Sequence, residues 1–185
     1  MGKIILVTGG ARSGKSSFAE RLALKLGGGQ AAYIATAQIF DEEMAYRIKI
    51  HQQRRGNNWT TFEAPFAAEE MVSTAAADFS AILFDCVTIY VSNFLCTADL
   101  DDEAELYKNL REQIQRLIDA ALKSDAVIIF VSNEVGGGIV PENKLARRFR
   151  DLAGLANQMF AANADKVFLT VAGVAVDLKK LEEKL

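Results

Sequence analysis

The residues Gly9-Gly10-Ala11-Arg12-Ser13-Gly14-Lys15-Ser16 follow the pattern G-x-x-x-x-G-K-[ST]. Glycines at this spacing let a backbone turn around a phosphate group and aim its N–H groups inward, and a helix starting where the loop ends adds its positive end. Lys15 then bridges the β- and γ-phosphates of a nucleoside triphosphate, and the Ser16 hydroxyl ligates Mg²⁺. A magnesium ion held this way commonly has a carboxylate at the end of a neighbouring strand. Asp85, directly after Ala81-Ile82-Leu83-Phe84, has that place in the chain. Aspartate is also a favoured helix N-cap, and both roles stand open for it.

His51 is the only histidine, so any histidine chemistry falls on it. On a helix, Arg47 and Arg55 lie one turn either side of it, with Arg54 close in projection. Cations crowded around an imidazole keep the ring neutral and its nitrogen lone pair available as a nucleophile, while the same arginines hold the phosphates it attacks. An exposed basic helix face is the alternative. Ser132-Asn133-Glu134 ends a strand expected to parallel the first one, on the carboxyl edge where open α/β sheets bind ligands, so Asn133 and Glu134 are candidate substrate or metal contacts. Arg147, Arg148 and Arg150, with Asp151, suit either an anionic substrate or a solvated helix face.

These residues must be held by a scaffold, and the hydrophobic pattern describes one. Short β-branched runs alternate with helical stretches along the whole chain, which predicts an α/β fold with a largely parallel sheet. Ile4 to Thr8 reads as a strand buried on both faces, running into the glycine loop and a helix from Ser17 to Leu26. Gly27-Gly28-Gly29 stops that helix, and Ala32 to Ala35 gives the next strand. Asp41 to Arg55 is expected to be helical, Trp59 to Glu63 a strand, Pro65 to Ala76 a helix, and Ala81 to Phe84 a central strand. Leu106, Leu110, Ile114, Leu117, Ile118 and Ala121 make an amphipathic stripe between Asp101 and Lys123. Ala126 to Val131 reads as a strand, Ser132 to Asn143 as a glycine-bearing loop, and Lys144 to Asn163 as a helix. Val167 to Val171 and Val174 to Asp177 close the pattern as two strands turning at Gly173.

The chain has 185 residues, half of them apolar, with 13 Gly, 2 Pro and a net charge of −3. That length and composition predict one domain, residues 1–185, with a substantial core, and argue against disordered, collagenous and strongly nucleic-acid-binding classes. No apolar run approaches the roughly 20 residues of a membrane span, so a soluble cytoplasmic protein is expected. Cys86 and Cys96 lie in or beside apolar stretches and are expected to be buried reduced thiols, and no Cys/His cluster has zinc-ligand spacing.

Together, ILVTGGARSGKS (Ile5 to Ser16), YIAT (Tyr33 to Thr36), RIxxH (Arg47 to His51), W-x-T-x-E (Trp59 to Glu63), and NEVGGGIVPENKLARRFRDLAG (Asn133 to Gly154) with Asn157-Gln158 resemble a known family. It is the bifunctional adenosylcobinamide kinase/adenosylcobinamide-phosphate guanylyltransferase family of cobalamin biosynthesis. The resemblance implies a RecA-like phosphate-loop fold assembled as a homotrimer. It also implies phosphorylation of the aminopropanol hydroxyl of adenosylcobinamide by ATP or GTP, then transfer of GMP from GTP through a guanylylated histidine. By motif position the histidine is His51, the nucleotide loop is Gly9 to Ser16, and Thr36, Arg54, Arg55 and Glu63 are guanosine- or phosphate-side contacts. Several members carry two adjacent histidines where this chain has Ile50-His51, Asp85 replaces a glutamate of some relatives, and Ala175 stands where proline is common. A different small-molecule kinase on the same loop would need no histidine. A GTPase switch is disfavoured because Asp85-Cys86-Val87-Thr88 lacks the glycine of DxxG and Asn143-Lys144-Leu145-Ala146 lacks the aspartate of NKxD. The acidic balance and short chain disfavour a RecA-like nucleic-acid motor.

Overall fold

A computed structural model describes residues 2–38, 56–98 and 102–183. Seven strands form one sheet: β1 (Lys3–Gly9), β2 (Ala31–Ala35), β3 (Trp59–Glu63), β4 (Ala81–Asp85), β5 (Val127–Asn133), β6 (Lys166–Val171) and β7 (Val174–Asp177). Their order is β3-β2-β4-β5-β1-β6-β7, and every pairing is parallel except β6 with β7. The helices are α1 (Lys15–Leu26), α2 (Ala68–Asp78), α3 (Val87–Thr97), α4 (Glu103–Lys123) and α5 (Lys144–Asn163).

Alternation along the strands divides the core into two layers. Ile4 and Leu6 of β1, Ile82 and Phe84 of β4, and Ile128 and Phe130 of β5 pack with α2, α3, α4 and α5. Ile5 and Val7, Ala81 and Leu83, and Ile129 and Val131 face the other way, against Ala19 and Ala23 of α1. Central strands with both faces covered explain why they read as unbroken apolar runs. The stripe predicted on α4 is the face that packs, each of its six residues at most 1% exposed. Asp102 caps α4, its carboxylate accepting from Glu105 N–H at 3.0 Å, and Asn143 caps α5 by accepting from Ala146 N–H at 3.0 Å.

The register gathers the chemistry at the carboxyl ends of the parallel strands. Gly9 pairs with Asn133, and Val131 lies between Val7 and Asp85 in one row. One strand thus separates the phosphate-loop strand from the strand that ends in a carboxylate, the RecA-like arrangement. The expected elements recur within a few residues. The predicted helix Asp41 to Arg55 lies outside the described residues. The loop after β5 starts two residues later than expected, because Ser132 and Asn133 continue the ladder with β1.

Candidate active site

The loop from Gly10 to Gly14 joins β1 to α1, and its shape is set from within and from below. Ser13 N–H donates to Gly10 C=O at 3.2 Å, closing a turn, and Gly14 takes φ 94°, a left-handed conformation that glycine adopts without strain. The β6–β7 turn braces the loop. Gly173 N–H donates to Ser13 C=O at 2.8 Å, and Ser13 Oγ lies 2.8 Å from Thr170 Oγ1, whose own hydrogen goes to Thr8 C=O at 3.1 Å. A methyl on Gly14 would come within 3.0 Å of Gly173 Cα, so this glycine serves close packing as well as backbone freedom. The Lys15 ammonium folds back over the loop and donates to Gly10 C=O at 3.2 Å, while the half-buried Ser16 stands in the first turn of α1.

Asp85 leaves β4 on the α1 side, by the alternation that places Ala81 and Leu83 there. Two strand spacings, about 10 Å, separate its backbone from that of Val7. Tyr33, on the same face of β2, donates its hydroxyl to Asp85 Oδ2 at 3.1 Å. The N-cap reading of Asp85 is corrected, because α3 starts at Val87 and its cap is Cys86, whose sulfur accepts from Ile89 N–H at 3.4 Å. The Asp85–Cys86 peptide is cis.

The Cys86 thiol is pushed up to about 11, first by burial and then by the Asp85 carboxylate, while Thr88, Ile89 N–H and the Lys15 ammonium pull it down. Lys15 and Asp85 therefore both act on one buried sulfur, which ties the phosphate loop electrostatically to the end of β4. Cys96 departs from expectation. It sits near the exposed end of α3 and is itself exposed. A disulfide-exchange reagent at neutral pH is expected to titrate one thiol of the native chain promptly and the second only on denaturation; two fast thiols would contradict the burial of Cys86. The folded chain keeps a proton on Cys86 that the unfolded chain releases at the ordinary thiol value. The stabilisation it contributes is whole below that value and is lost as pH rises toward about 11.

A run of polar side chains ties the strand ends together. Thr36 is 0% exposed; its hydroxyl accepts from Cys86 N–H at 2.8 Å and donates to Cys86 C=O at 2.9 Å. Asn93 of α3 donates to Thr36 C=O at 2.8 Å and to Pro65 C=O at 3.1 Å, pinning the ends of β2 and β3. Thr88 accepts from Asn133 Nδ2 at 3.2 Å, and Asn157 of α5 donates to Asn133 C=O at 3.2 Å. Glu134 N–H donates to Gly9 C=O at 3.0 Å, so the chain leaving β5 starts beside the phosphate loop.

The expected residues are thus only partly assembled. Gly9 to Ser16, Asp85, Asn133 and Glu134 share one stretch of the carboxyl edge. Thr36 braces the backbone of β4 from a buried position. Glu63 is exposed at the end of the edge strand β3, four strand spacings, about 19 Å, from β1. Arg147 donates to Pro141 C=O at 3.0 Å and Glu142 C=O at 2.6 Å, which shapes its own loop, and Arg150 Nε lies 3.5 Å from Asp151. His51, Arg54 and Arg55 lie outside the described residues. Thr88, Asn93 and Thr170 were not singled out from the sequence. The partners that tie them across the sheet are 28 to 162 residues away, a distance at which no local pattern reports contact.

The family model described as cobinamide kinase/cobinamide phosphate guanyltransferase matches residues 5–178. The bifunctional adenosylcobalamin biosynthesis protein CobU of Salmonella typhimurium is 44% identical over 183 residues, covering 95% of this chain and 99% of that one. The Escherichia coli protein of the same name is 44% identical over 182 residues, with coverage of 95% and 99%. CobP of Pseudomonas aeruginosa, also described as a bifunctional adenosylcobalamin biosynthesis protein, is 41% identical over 177 residues, with coverage of 94% and 96%.

Proposed function

The chain belongs to the cobinamide kinase/cobinamide phosphate guanyltransferase family, and from that premise we propose that the single loop Gly9 to Ser16 serves both of its reactions. The protein is a bifunctional transferase of cobalamin biosynthesis that uses nucleotides. In the kinase step the aminopropanol hydroxyl of adenosylcobinamide attacks the γ-phosphorus of ATP or GTP. In the second, His51 attacks the α-phosphorus of GTP, the bond to the bridging oxygen breaks, and pyrophosphate departs. The phosphate of adenosylcobinamide phosphate then attacks the guanylylated histidine, yielding adenosylcobinamide-GDP and the free imidazole.

The observation that supports one loop for both steps is its geometry. A left-handed Gly14 opens α1 toward the carboxyl edge, and Lys15 already lies across the loop, placed to meet charge developing on a transferred phosphoryl group. Ser16 and Asp85 fit a magnesium ion that takes most of its ligands from nucleotide and water. Among the described residues no group of three or more His, Cys, Asp or Glu side chains could hold a metal by itself. With magnesium bound, phosphate charge is neutralised and the leaving group stabilised. Arg54 and Arg55 would accompany His51 to the phosphates, Glu63 would lie on the guanosine side, and Thr36 would act from beneath by fixing the backbone at Cys86. Among the described residues no helix is long and apolar enough to cross a membrane. A cytoplasmic homotrimer, acting without nucleic acid, accords with the family resemblance, as does one domain for both activities.

The direct test is incubation with GTP labelled at the α-phosphorus, with Mg²⁺ and no corrinoid. Acid-labile, alkali-stable label on the protein is expected. A chain that phosphorylates cobinamide without ever taking up label is a kinase alone. Asp85→Asn is expected to raise the half-saturating Mg²⁺ concentration about tenfold, the effect of roughly 1.4 kcal/mol of lost charge attraction, while the asparagine oxygen still accepts from Tyr33 and the fold holds. A Mg²⁺ titration that overlays that of the native chain removes Asp85 from the metal side.

A further inference from the structure

We infer that the groove between the glycine loop after β5 and the projecting half of α5 is the seat of the corrinoid, holding the amide-bearing rim of the macrocycle over the phosphate loop. The inference rests on the cobinamide reading above and adds where that substrate binds.

The position follows from α5. Asn157 is level with the end of β5, since it donates to Asn133 C=O. The helix then descends to β6, where Asp165 N–H meets Ile4 C=O near the far end of β1. Residues before Asn157 therefore stand above the carboxyl edge. Arg150, seven residues earlier, is about 10 Å further out along the axis. Leu152, Ala153 and Ala156 bury one face of this half, and opposite its other face runs the loop from Glu134, which leaves the sheet bonded to Gly9. Between them is a groove of about 510 Å³, with Gly136, Gly138 and Val140 on the loop side and Gly154, Leu155 and Gln158 on the helix side. A hydroxyl carried on a substrate seated there is held at the same carboxyl edge of the sheet as the phosphate loop, which the chain leaving β5 adjoins through Glu134 N–H and Gly9 C=O.

The lining selects the class of ligand. The groove's one arginine, Arg150, already faces Asp151 at 3.5 Å, so the pair contributes no net charge and the groove suits a neutral ligand better than a polyanion. Val140 and Leu155 offer apolar surface, and Ile139 beside them is 97% exposed. Gln158 and the Arg150–Asp151 pair supply donors and acceptors. An apolar plate fringed with neutral carboxamides, which is the corrin ring, matches that mixture. A corrinoid exceeds the groove's volume, so the groove takes an edge of the ring and leaves the rest outside. The glycines agree. Gly154 lies inside a helix, where glycine is unfavourable relative to alanine, yet a methyl there would meet no atom of the described residues within 4 Å beyond the helix's own backbone. The same is true of Gly137 and Gly138. Packing among the described residues does not require these positions to be small, whereas the close approach of a flat, rigid substrate would.

The experiment is Gly154→Phe, which fills the groove from a position with open space around it, with Gly154→Ala as the control that keeps the groove open. The Michaelis constant for cobinamide in the kinase step is expected to rise about tenfold or more in the phenylalanine variant. The constant for the nucleotide, and guanylylation by GTP in the absence of corrinoid, should stay at native values. Gln158→Leu, an exposed substitution that removes only the amide, is expected to raise the cobinamide constant severalfold and decides the matter if the phenylalanine variant does not fold. An unchanged cobinamide constant in the folded Gly154→Phe chain overturns the assignment. A changed sedimenting mass with that constant unchanged also overturns it and gives the groove to a contact between copies. A native chain that neither binds nor phosphorylates cobinamide removes the functional reading itself and the groove's assignment with it, an outcome distinct from an active native chain with an indifferent variant.

Discussion

His51→Ala is expected to abolish covalent labelling by α-labelled GTP, exchange of labelled pyrophosphate into GTP, and guanylyl transfer together. The three losses are coupled because each passes through the same bond between an imidazole nitrogen and the α-phosphorus. The chain contains one histidine, so no neighbouring ring can take over in the variant. Nucleotide binding should survive, since the loop is held by Ser13, Thr170 and Gly173. Kinase turnover should survive as well, because phosphoryl transfer to a hydroxyl uses the loop and the bound substrate without a covalent intermediate on the protein. Label on the folded variant would sink the proposal. So would guanylyl transfer by a native chain that shows neither label nor corrinoid-free pyrophosphate exchange, which would mean direct attack by the corrinoid phosphate on the α-phosphorus of GTP.

How far the sequence discloses this site depends on the range over which each feature is encoded. The phosphate loop is legible because strand, loop and helix are contiguous, and the α4 stripe because its period is local. Strand order is not local. Thr36 and Glu63 look alike as residues at the end of a strand next to a recognisable motif, yet the sheet order buries one beside β4 and leaves the other exposed on the outermost strand. Asp85 was legible as a strand-terminal carboxylate, but its exclusion from the capping role was not. That exclusion depends on α3 starting at Val87 and on a cysteine sulfur taking the N–H that aspartate would have taken. Arg147 has a structural task that its charge does not disclose. Its charge invites a phosphate, but the turn at Pro141 and Glu142 leaves two carbonyls that its guanidinium satisfies. Cys96 read as buried because its neighbours are apolar, whereas α3 turns that residue outward one residue before its last.

Lys15→Ala is expected to lower turnover in both reactions by about 10²–10³-fold, roughly 3–4 kcal/mol, the effect of removing one preorganised charge from a developing phosphoryl transition state. The loss should fall more on turnover than on nucleotide affinity. The backbone that cradles phosphate keeps its shape in the variant, because Ser13 N–H still closes on Gly10 and Gly173 N–H on Ser13. The ammonium, by contrast, has no substitute in the loop: Arg12 has φ 56° at its exposed outer bend, and the remaining members are uncharged. Two assays on paired preparations, Lys15→Ala with and without His51→Ala, test the proposal. Pyrophosphate exchange without corrinoid reads the guanylyl step, and phosphorylation of cobinamide with guanylyl transfer suppressed in a His51→Ala background reads the kinase step. Parallel losses support one loop serving both. A variant that loses exchange but phosphorylates cobinamide at the native rate requires a second phosphate site for the kinase, and the proposal of a shared loop would fall even though His51 could still be the nucleophile.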